Sequence, residues 1–131
     1  MAEDMKTAVL MLREAYDAFN RGDFDAILER LHPDVEWNRY AEVEGPIQGR
    51  EAVRAFLQPD LFERQHGEIL ETAVHGDRIL VHVNFTAVGR GSGIELEQDG
   101  WQLWTIRDGL AAKLEVFLDR GEALAAAGQE S

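Results

Sequence analysis

Residues 78–88 carry an apolar side chain at every second position, in the order Arg78-Ile79-Leu80-Val81-His82-Val83-Asn84-Phe85-Thr86-Ala87-Val88. This period of two predicts a β-strand, because successive strand side chains point to opposite faces. One face is wholly apolar and contains Ile79, Val81, Val83 and Phe85; the other contains Leu80, His82, Asn84 and Thr86. The second face is either solvated surface or the polar half of a pocket, and this choice decides where a functional site lies.

Turn sequences on both sides extend this strand into a four-stranded antiparallel meander. They are Gly76-Asp77, Gly91-Ser92-Gly93 and Asp108-Gly109, which are typical of hairpin connections. The predicted strands cover residues 68–75, 78–90, 94–107 and a last segment ending near residue 118. Asp99-Gly100 predicts a bulge, because neither residue favours a strand interior. Residues 60–66 are expected to be irregular.

The first half of the chain has the period of helices. Apolar residues at steps of three and four predict a helix over 4–21. Asp23 can cap a second short helix that we expect Pro33 to stop, and a third helix follows Gly49 and closes at Pro59. Residues 35–40 alternate like a strand between them, with Trp37 on the same face as residues 35 and 39.

A short helix is also predicted near the end of the chain. Asp119 and Glu122 have the spacing of a capping box with aspartate in the cap position. Helices followed by antiparallel strands predict an α+β fold with helices packed on one sheet face. The apolar odd-numbered face of residues 78–88 is then left for a partner, which predicts a homodimer formed sheet against sheet.

Composition limits the functional classes. The 131 residues correspond to one domain over 1–131, and the formal net charge of −12 argues against binding to nucleic acid or to anionic membranes. Without cysteine there is no thiolate nucleophile, and no apolar run approaches the length of a membrane span. The acidic amino terminus does not resemble a signal peptide, so we expect a cytoplasmic protein.

Three segments of the sequence resemble the SnoaL-like branch of the NTF2-like superfamily. They are Phe19-Asn20-Arg21-Gly22-Asp23-Phe24-Asp25-Ala26-Ile27, Leu31-His32-Pro33-Asp34-Val35-Glu36-Trp37 and Gly49-Arg50-Glu51-Ala52-Val53-Arg54-Ala55-Phe56. The resemblance implies a cone: three helices packed in a strongly curved antiparallel sheet, a short C-terminal helix, a mostly apolar cavity and a homodimer. The branch includes ketosteroid isomerase, polyketide cyclases and limonene epoxide hydrolase, so the fold alone does not give the reaction.

The residues that these enzymes use are missing here. Alignment puts the isomerase's aspartate base at Arg39, its oxyanion tyrosine at Ala15 and its protonated aspartate near Gln102. The central strand of the epoxide hydrolase carries Arg-x-Asp, where this chain has His82-x-Asn84. The resemblance therefore leaves open whether the chain is an enzyme.

The same alignments predict that even-numbered residues of the last three strands point into the cone. This orientation predicts a ligand site with apolar walls inside the cone. In it, His82 would carry a proton, Arg39 would anchor the ligand, and two side chains would donate hydrogen bonds, Asn84 and Gln102. The walls are Trp37, Trp104, Leu114 and Val116. A lone strand histidine is more often structural, and Arg39 can equally well face solvent.

No metal or cofactor is predicted, because the four histidines show no ligand spacing and the glycine-rich turn 89–93 precedes a strand instead of a helix. Our first hypothesis is a cofactor-independent enzyme that carries out isomerase-, cyclase- or hydrolase-type acid–base chemistry on a small, partly hydrophobic metabolite. The second is a non-catalytic, ligand-binding dimer. The third is a protein–protein module whose cone is filled by its own tryptophans.

Overall fold

The computed structural model describes residues 5–38, 45–57 and 62–128. Its helices are α1 (Met5–Asn20), α2 (Phe24–Glu29), α3 (Arg50–Leu57) and α4 (Arg120–Ala126). Its strands are β1 (Leu31–Asn38), β2 (Ile47–Gln48), β3 (Phe62–His75), β4 (Arg78–Gly89), β5 (Glu95–Arg107) and β6 (Leu110–Phe117). None of the helices in these ranges has the length and apolar character needed to cross a membrane.

The described strands form one sheet in the order β2-β1-β6-β5-β4-β3. Strands β3 to β6 are the predicted antiparallel meander, and β1 joins β6 in parallel. Both predicted caps are present: the Asp23 carboxylate accepts a hydrogen bond from the Ala26 N–H, and the Asp119 carboxylate accepts one from the Glu122 N–H. These side chains satisfy backbone donors that a helix leaves free in its first turn.

Three local predictions were wrong. Helix α2 ends at Glu29, before Pro33, which lies inside β1 where the β1–β6 register shifts. Residues 62–66 belong to β3, because they pair with the far end of β4 in spite of their polar sequence. Asp99 and Gly100 pair with consecutive β4 residues without a bulge, and the Asn84 amide bridges to the Asp99 carboxylate across the strands at 2.7 Å.

The pairing of β4 with β5 decides which side chains face the helices. Ile79 lies opposite Trp104 and Val81 opposite Gln102, so odd-numbered β4 residues share a face with even-numbered β5 residues. Ile79 and Val81 are fully buried in one cluster with Leu12 of α1. The odd face of β4 therefore points inward, and the predicted inward direction of its even residues was wrong.

This finding removes the surface on which the homodimer prediction rested. The apolar odd residues of β4 are core, so they are not free for a partner. The opposite face is partly covered by α4 and its C-cap residue: Ala123 and Ala127 pack with Leu80 and Leu103 in a second cluster. Dimerisation itself stays a prediction.

The orientation of β4 can be tested by two substitutions on the same strand. Ile79→Ala should lower the free energy of unfolding by about 2–5 kcal/mol, because it leaves a cavity in the core. Thr86→Ala, on the other face, should change it by less than about 1 kcal/mol. Urea unfolding measures both, and a mild effect of Ile79→Ala would contradict the inward assignment.

Candidate functional site

The inward face of β4, β5 and β6 carries no ionisable side chain at the paired positions that the structure describes. We call these positions the inner face; they are Ile79, Val81, Val83, Phe85, Ala87, Leu96, Gln98, Gly100, Gln102, Trp104, Leu114 and Val116. The polar side chains among them are Gln98 and Gln102. Ile79 and Val81 are covered by α1, so the half-buried part of this face around Gln102 and Val116 is the part that suits a mostly apolar ligand held by a few neutral hydrogen bonds.

Aromatic rings form one wall of the inner face. Trp37 and Trp104 meet edge to face, with ring centroids 5.7 Å apart, and Phe56 of α3 lies 6.4 Å from Trp37. Trp37 is brought there because it pairs with Leu114 across the parallel β1–β6 ladder. The structure thus brings the predicted hydrogen-bond donor Gln102 together with three predicted wall residues, Trp37, Trp104 and Leu114. The fourth wall residue, Val116, lies directly opposite Gln102.

A buried hydrogen-bond chain links α1 to this face. The Trp104 indole N–H donates to the Tyr16 hydroxyl oxygen at 3.1 Å. The Tyr16 hydroxyl in turn donates to the side-chain oxygen of Gln102. Tyr16 is in the core cluster, one helical turn after Leu12, so α1 delivers a polar group to an otherwise apolar interior.

Burial raises the pKa of Tyr16 well above its ordinary value, and the smaller effect of the Trp104 hydrogen bond opposes this shift. The hydroxyl therefore stays protonated and remains a donor near neutral pH. The sequence prediction missed Tyr16 because it fits the apolar stripe of α1. The available signal was chemical: a tyrosine in a core stripe needs a partner for its hydroxyl.

The structure puts His82 and Asn84 on the opposite face of the sheet, which corrects the prediction that they converge with Gln102. The His82 ring stacks on Trp101 with centroids 4.4 Å apart and planes at 3°. Its Nε2 lies 3.4 Å from the Asp99 carboxylate. Asn84 donates to Asp99 at 2.7 Å and to Glu97 at 3.2 Å. These side chains form a polar surface away from the inner face.

The hydrogen bond from Asn84 is the main cause that lowers the pKa of Asp99, and His82 adds a smaller effect. The His82 contact is longer and leaves Nε2 without a well-formed hydrogen bond, so we regard it as electrostatic. Asp99 therefore favours its charged form in the folded state.

Arg39 lies outside the described residues, and its role stays a prediction from the sequence. Within the described ranges, no group of three or more histidine, aspartate or glutamate side chains could hold a metal ion.

A surface groove of about 880 Å³ lies at one end of the inner face, between the end of α1 and the ends of β3, β4 and β5. Phe19, Ala87 and Leu96 line it together with charged residues such as Glu63 and Glu95. Its exposed, mixed-charge lining offers less desolvation to a small molecule than the aromatic wall does. We therefore regard the end of the inner face next to the Trp37–Trp104 pair as the stronger candidate site.

The sequence and the fold match known proteins. The family model for the SnoaL-like domain matches residues 12–114. No curated protein matches the sequence. Among solved structures, an NTF2-like protein of unknown function from Burkholderia pseudomallei is 25% identical, with 90% of this chain and 95% of the other covered and a TM-score of 0.76.

Two other solved structures carry information about ligands or activity. A candidate polyketide cyclase from Xanthomonas campestris pv. campestris is 25% identical, with 93% and 97% of the chains covered and a TM-score of 0.78. A Mycobacterium tuberculosis protein in complex with estradiol-17beta-hemisuccinate is 18% identical, with 87% and 95% covered and a TM-score of 0.72. These matches establish the NTF2-like α+β fold that the sequence predicted.

The buried state of Tyr16 predicts an abnormal ionisation. In a pH titration, the difference in tyrosinate absorbance between wild type and Tyr16→Phe should not rise up to about pH 11, because burial opposes ionisation of the Tyr16 hydroxyl. A component with a midpoint near the ordinary value of about 10 would contradict the buried hydrogen bond.

The lowered pKa of Asp99 predicts a stability contribution with a defined direction in pH. The contribution is present above the unfolded value of about 3.9 and is lost as the pH falls through the lower folded value. Asp99→Asn should therefore lower the melting temperature at pH 7, and the gap to wild type should shrink towards pH 2. Asp77→Asn, in the exposed β3–β4 turn, serves as control. A difference in melting temperature between Asp99→Asn and wild type that does not change with pH would contradict this explanation.

Proposed function

The chain belongs to the SnoaL-like domain family, and on that premise we propose that it binds a small, partly hydrophobic organic molecule on the inner face. The observation that carries this proposal is the chain from Trp104 through Tyr16 to Gln102, set beside the Trp37–Trp104 wall. Apolar walls with few, convergent polar groups are the usual composition of a ligand site. The steroid ester bound by the Mycobacterium tuberculosis protein supports this class of ligand.

We further propose that the bound molecule undergoes acid–base chemistry of the isomerase, cyclase or hydrolase kind without a cofactor. The neutral donors of the inner face can stabilise negative charge that develops on a substrate oxygen, and a low-dielectric site strengthens such hydrogen bonds. The similarity to a candidate polyketide cyclase supports this class of reaction. This proposal assigns no proton transfer to His82, because that side chain lies on the other face of the sheet.

Non-catalytic binding is the second candidate function, and one observation favours it. The described inner face carries no ionisable group that could accept a proton near neutral pH. A general base must lie within hydrogen-bond reach of the proton it removes. A protein that only stores or senses its ligand needs no such group.

A tryptophan scan of β6 tests the location of the binding site. Val116 is half-buried on the inner face, and Lys113 lies on the opposite face of the same strand. Val116→Trp should fill the site and weaken binding of the neutral fluorescent ketone prodan by at least about tenfold, because the added ring occupies the ligand's volume. Lys113→Trp is the matched control and should bind like wild type.

Fluorescence titration measures both affinities, and melting curves confirm that the variants are folded. Equal prodan affinity of Val116→Trp and wild type would contradict the proposed location. Absence of binding to the wild type would contradict the proposed function itself.

A further inference from the structure

The surface groove at one end of the inner face is built on a row of neutral side chains. Gln65, Ala87 and Leu96 pair with one another across β3, β4 and β5. Phe19, from the end of α1, also lines the groove and packs against Phe85, with ring centroids 6.1 Å apart. The groove has a volume of about 880 Å³, which is within the range of small-molecule sites.

Part of the apolar lining of the groove is in contact with solvent. Leu96 is 48% exposed, and Phe19 is half-buried. Burial of such surface by a ligand is favourable, because it removes apolar area from water. The groove therefore favours a ligand with an apolar body.

The wall that α1 contributes is fixed before any ligand binds. The Asn20 amide nitrogen donates to the Gly67 carbonyl oxygen at 3.1 Å, and its oxygen accepts from the Gly67 N–H at 2.7 Å. This pair of hydrogen bonds holds the end of the helix on β3. A ligand then does not need to order this wall, which lowers the entropic cost of binding.

Carboxylates lie on both strands that flank β4 in the groove. Glu63 is on β3, and Glu95 and Glu97 are on β5; all three are exposed. Among the described residues, the side chains of Glu63 and Glu95 have no hydrogen-bond or ion-pair partner. These two carboxylates are therefore available to a ligand.

The balance of charge in the groove is negative. Its cationic side chains are Arg64 and Arg90, and Arg90 is already engaged within the protein. Counting His66 as neutral, the lining has three carboxylates and two guanidinium groups, in a chain with a net charge of −12. A field of this sign raises the local concentration of cations and disfavours anions.

We propose that the groove is a second binding site, which takes a small amphipathic cation. The apolar body of the ligand lies on Phe19, Ala87 and Leu96, and its ammonium group faces the carboxylates of Glu63 and Glu95. Because these carboxylates are exposed, the ammonium group keeps part of its hydration and its charge is not costly to bind. The inference goes beyond the proposed function, since the place of the site and the charge of its ligand are both different.

The first test compares two probes with the same ring system. They are 1-naphthylmethylamine, a cation at pH 7, and 1-naphthylacetate, an anion. Isothermal titration calorimetry of wild type in about 20 mM salt should give an affinity about tenfold higher for the amine. The ratio should fall in about 500 mM salt, because salt screens exposed charges.

The charge of the groove is tested by removing the two available carboxylates. Glu63→Gln combined with Glu95→Gln should weaken amine binding about fivefold, because two exposed ion pairs are lost. Glu29→Gln combined with Glu122→Gln is the matched control. It changes the net charge by the same amount through exposed residues outside the groove, and it should bind the amine like wild type.

The apolar lining and the position of the ligand are tested separately. Leu96→Ser should weaken amine binding several-fold, because it removes apolar contact area at an exposed position. Val116→Trp, which fills the proposed neutral site, should bind the amine like wild type. In methyl-labelled wild type, the Leu96 methyl signals should shift with the amine, and the Val116 methyl signals should not.

Prescribed binding of prodan, measured on the same samples, separates this inference from the proposed function. Equal affinity of wild type for both probes, equal effects of the two charge variants or loss of amine binding in Val116→Trp would overturn the groove assignment and leave the proposed function in place. No amine binding to wild type, or Leu96 methyl signals that do not move, would also overturn it, even if a variant proved too unstable to measure. Amine binding without prodan binding would support the groove and contradict the proposed function alone.

Discussion

The register between β4 and β5 is the constraint on which the rest of the structure depends. Odd-numbered β4 residues oppose even-numbered β5 residues, and a strand's side chains alternate strictly between faces. One pairing therefore directs Ile79, Val81 and Gln102 towards α1 and directs His82 and Asn84 away from it. Because a shift of one residue would exchange the two faces completely, the site and its chemistry are set by this register before any ligand is considered.

The register separates the chemistry of the two faces. The outer face near the β4–β5 hairpin is polar and acidic, with Asn84 holding Glu97 and Asp99. The inner face carries no charge at its described positions, and its polar contacts run through Tyr16, Gln102 and Trp104. The net charge of −12 is therefore compatible with a neutral binding site. Neutral donors in apolar surroundings act on a ligand more strongly than the same groups would in water.

Much of the fold could be predicted because it is encoded locally. The stripe of α1, the caps at Asp23 and Asp119 and the turns of the meander each follow from a few neighbouring residues. The prediction of which side chains of β5 and β6 point inward was right. It placed on the inner face Gln102, Trp104, Leu114 and Val116. The face predicted for the side chains of β4 was wrong. That face depends on how many residues the hairpin after Gly89 leaves unpaired, and the local sequence pattern does not fix this number. Tyr16 was missed because its partners, Gln102 and Trp104, are more than eighty residues away in sequence.

The most direct test of the proposed site is the position of a bound small molecule, measured by intermolecular nuclear Overhauser effects between prodan and the labelled protein. The account predicts contacts from the ligand protons to the Val116 methyl groups and to the Trp104 ring. Contacts to Phe19 and Glu63 in the open groove, or to His82 and Trp101 on the outer face, would contradict it.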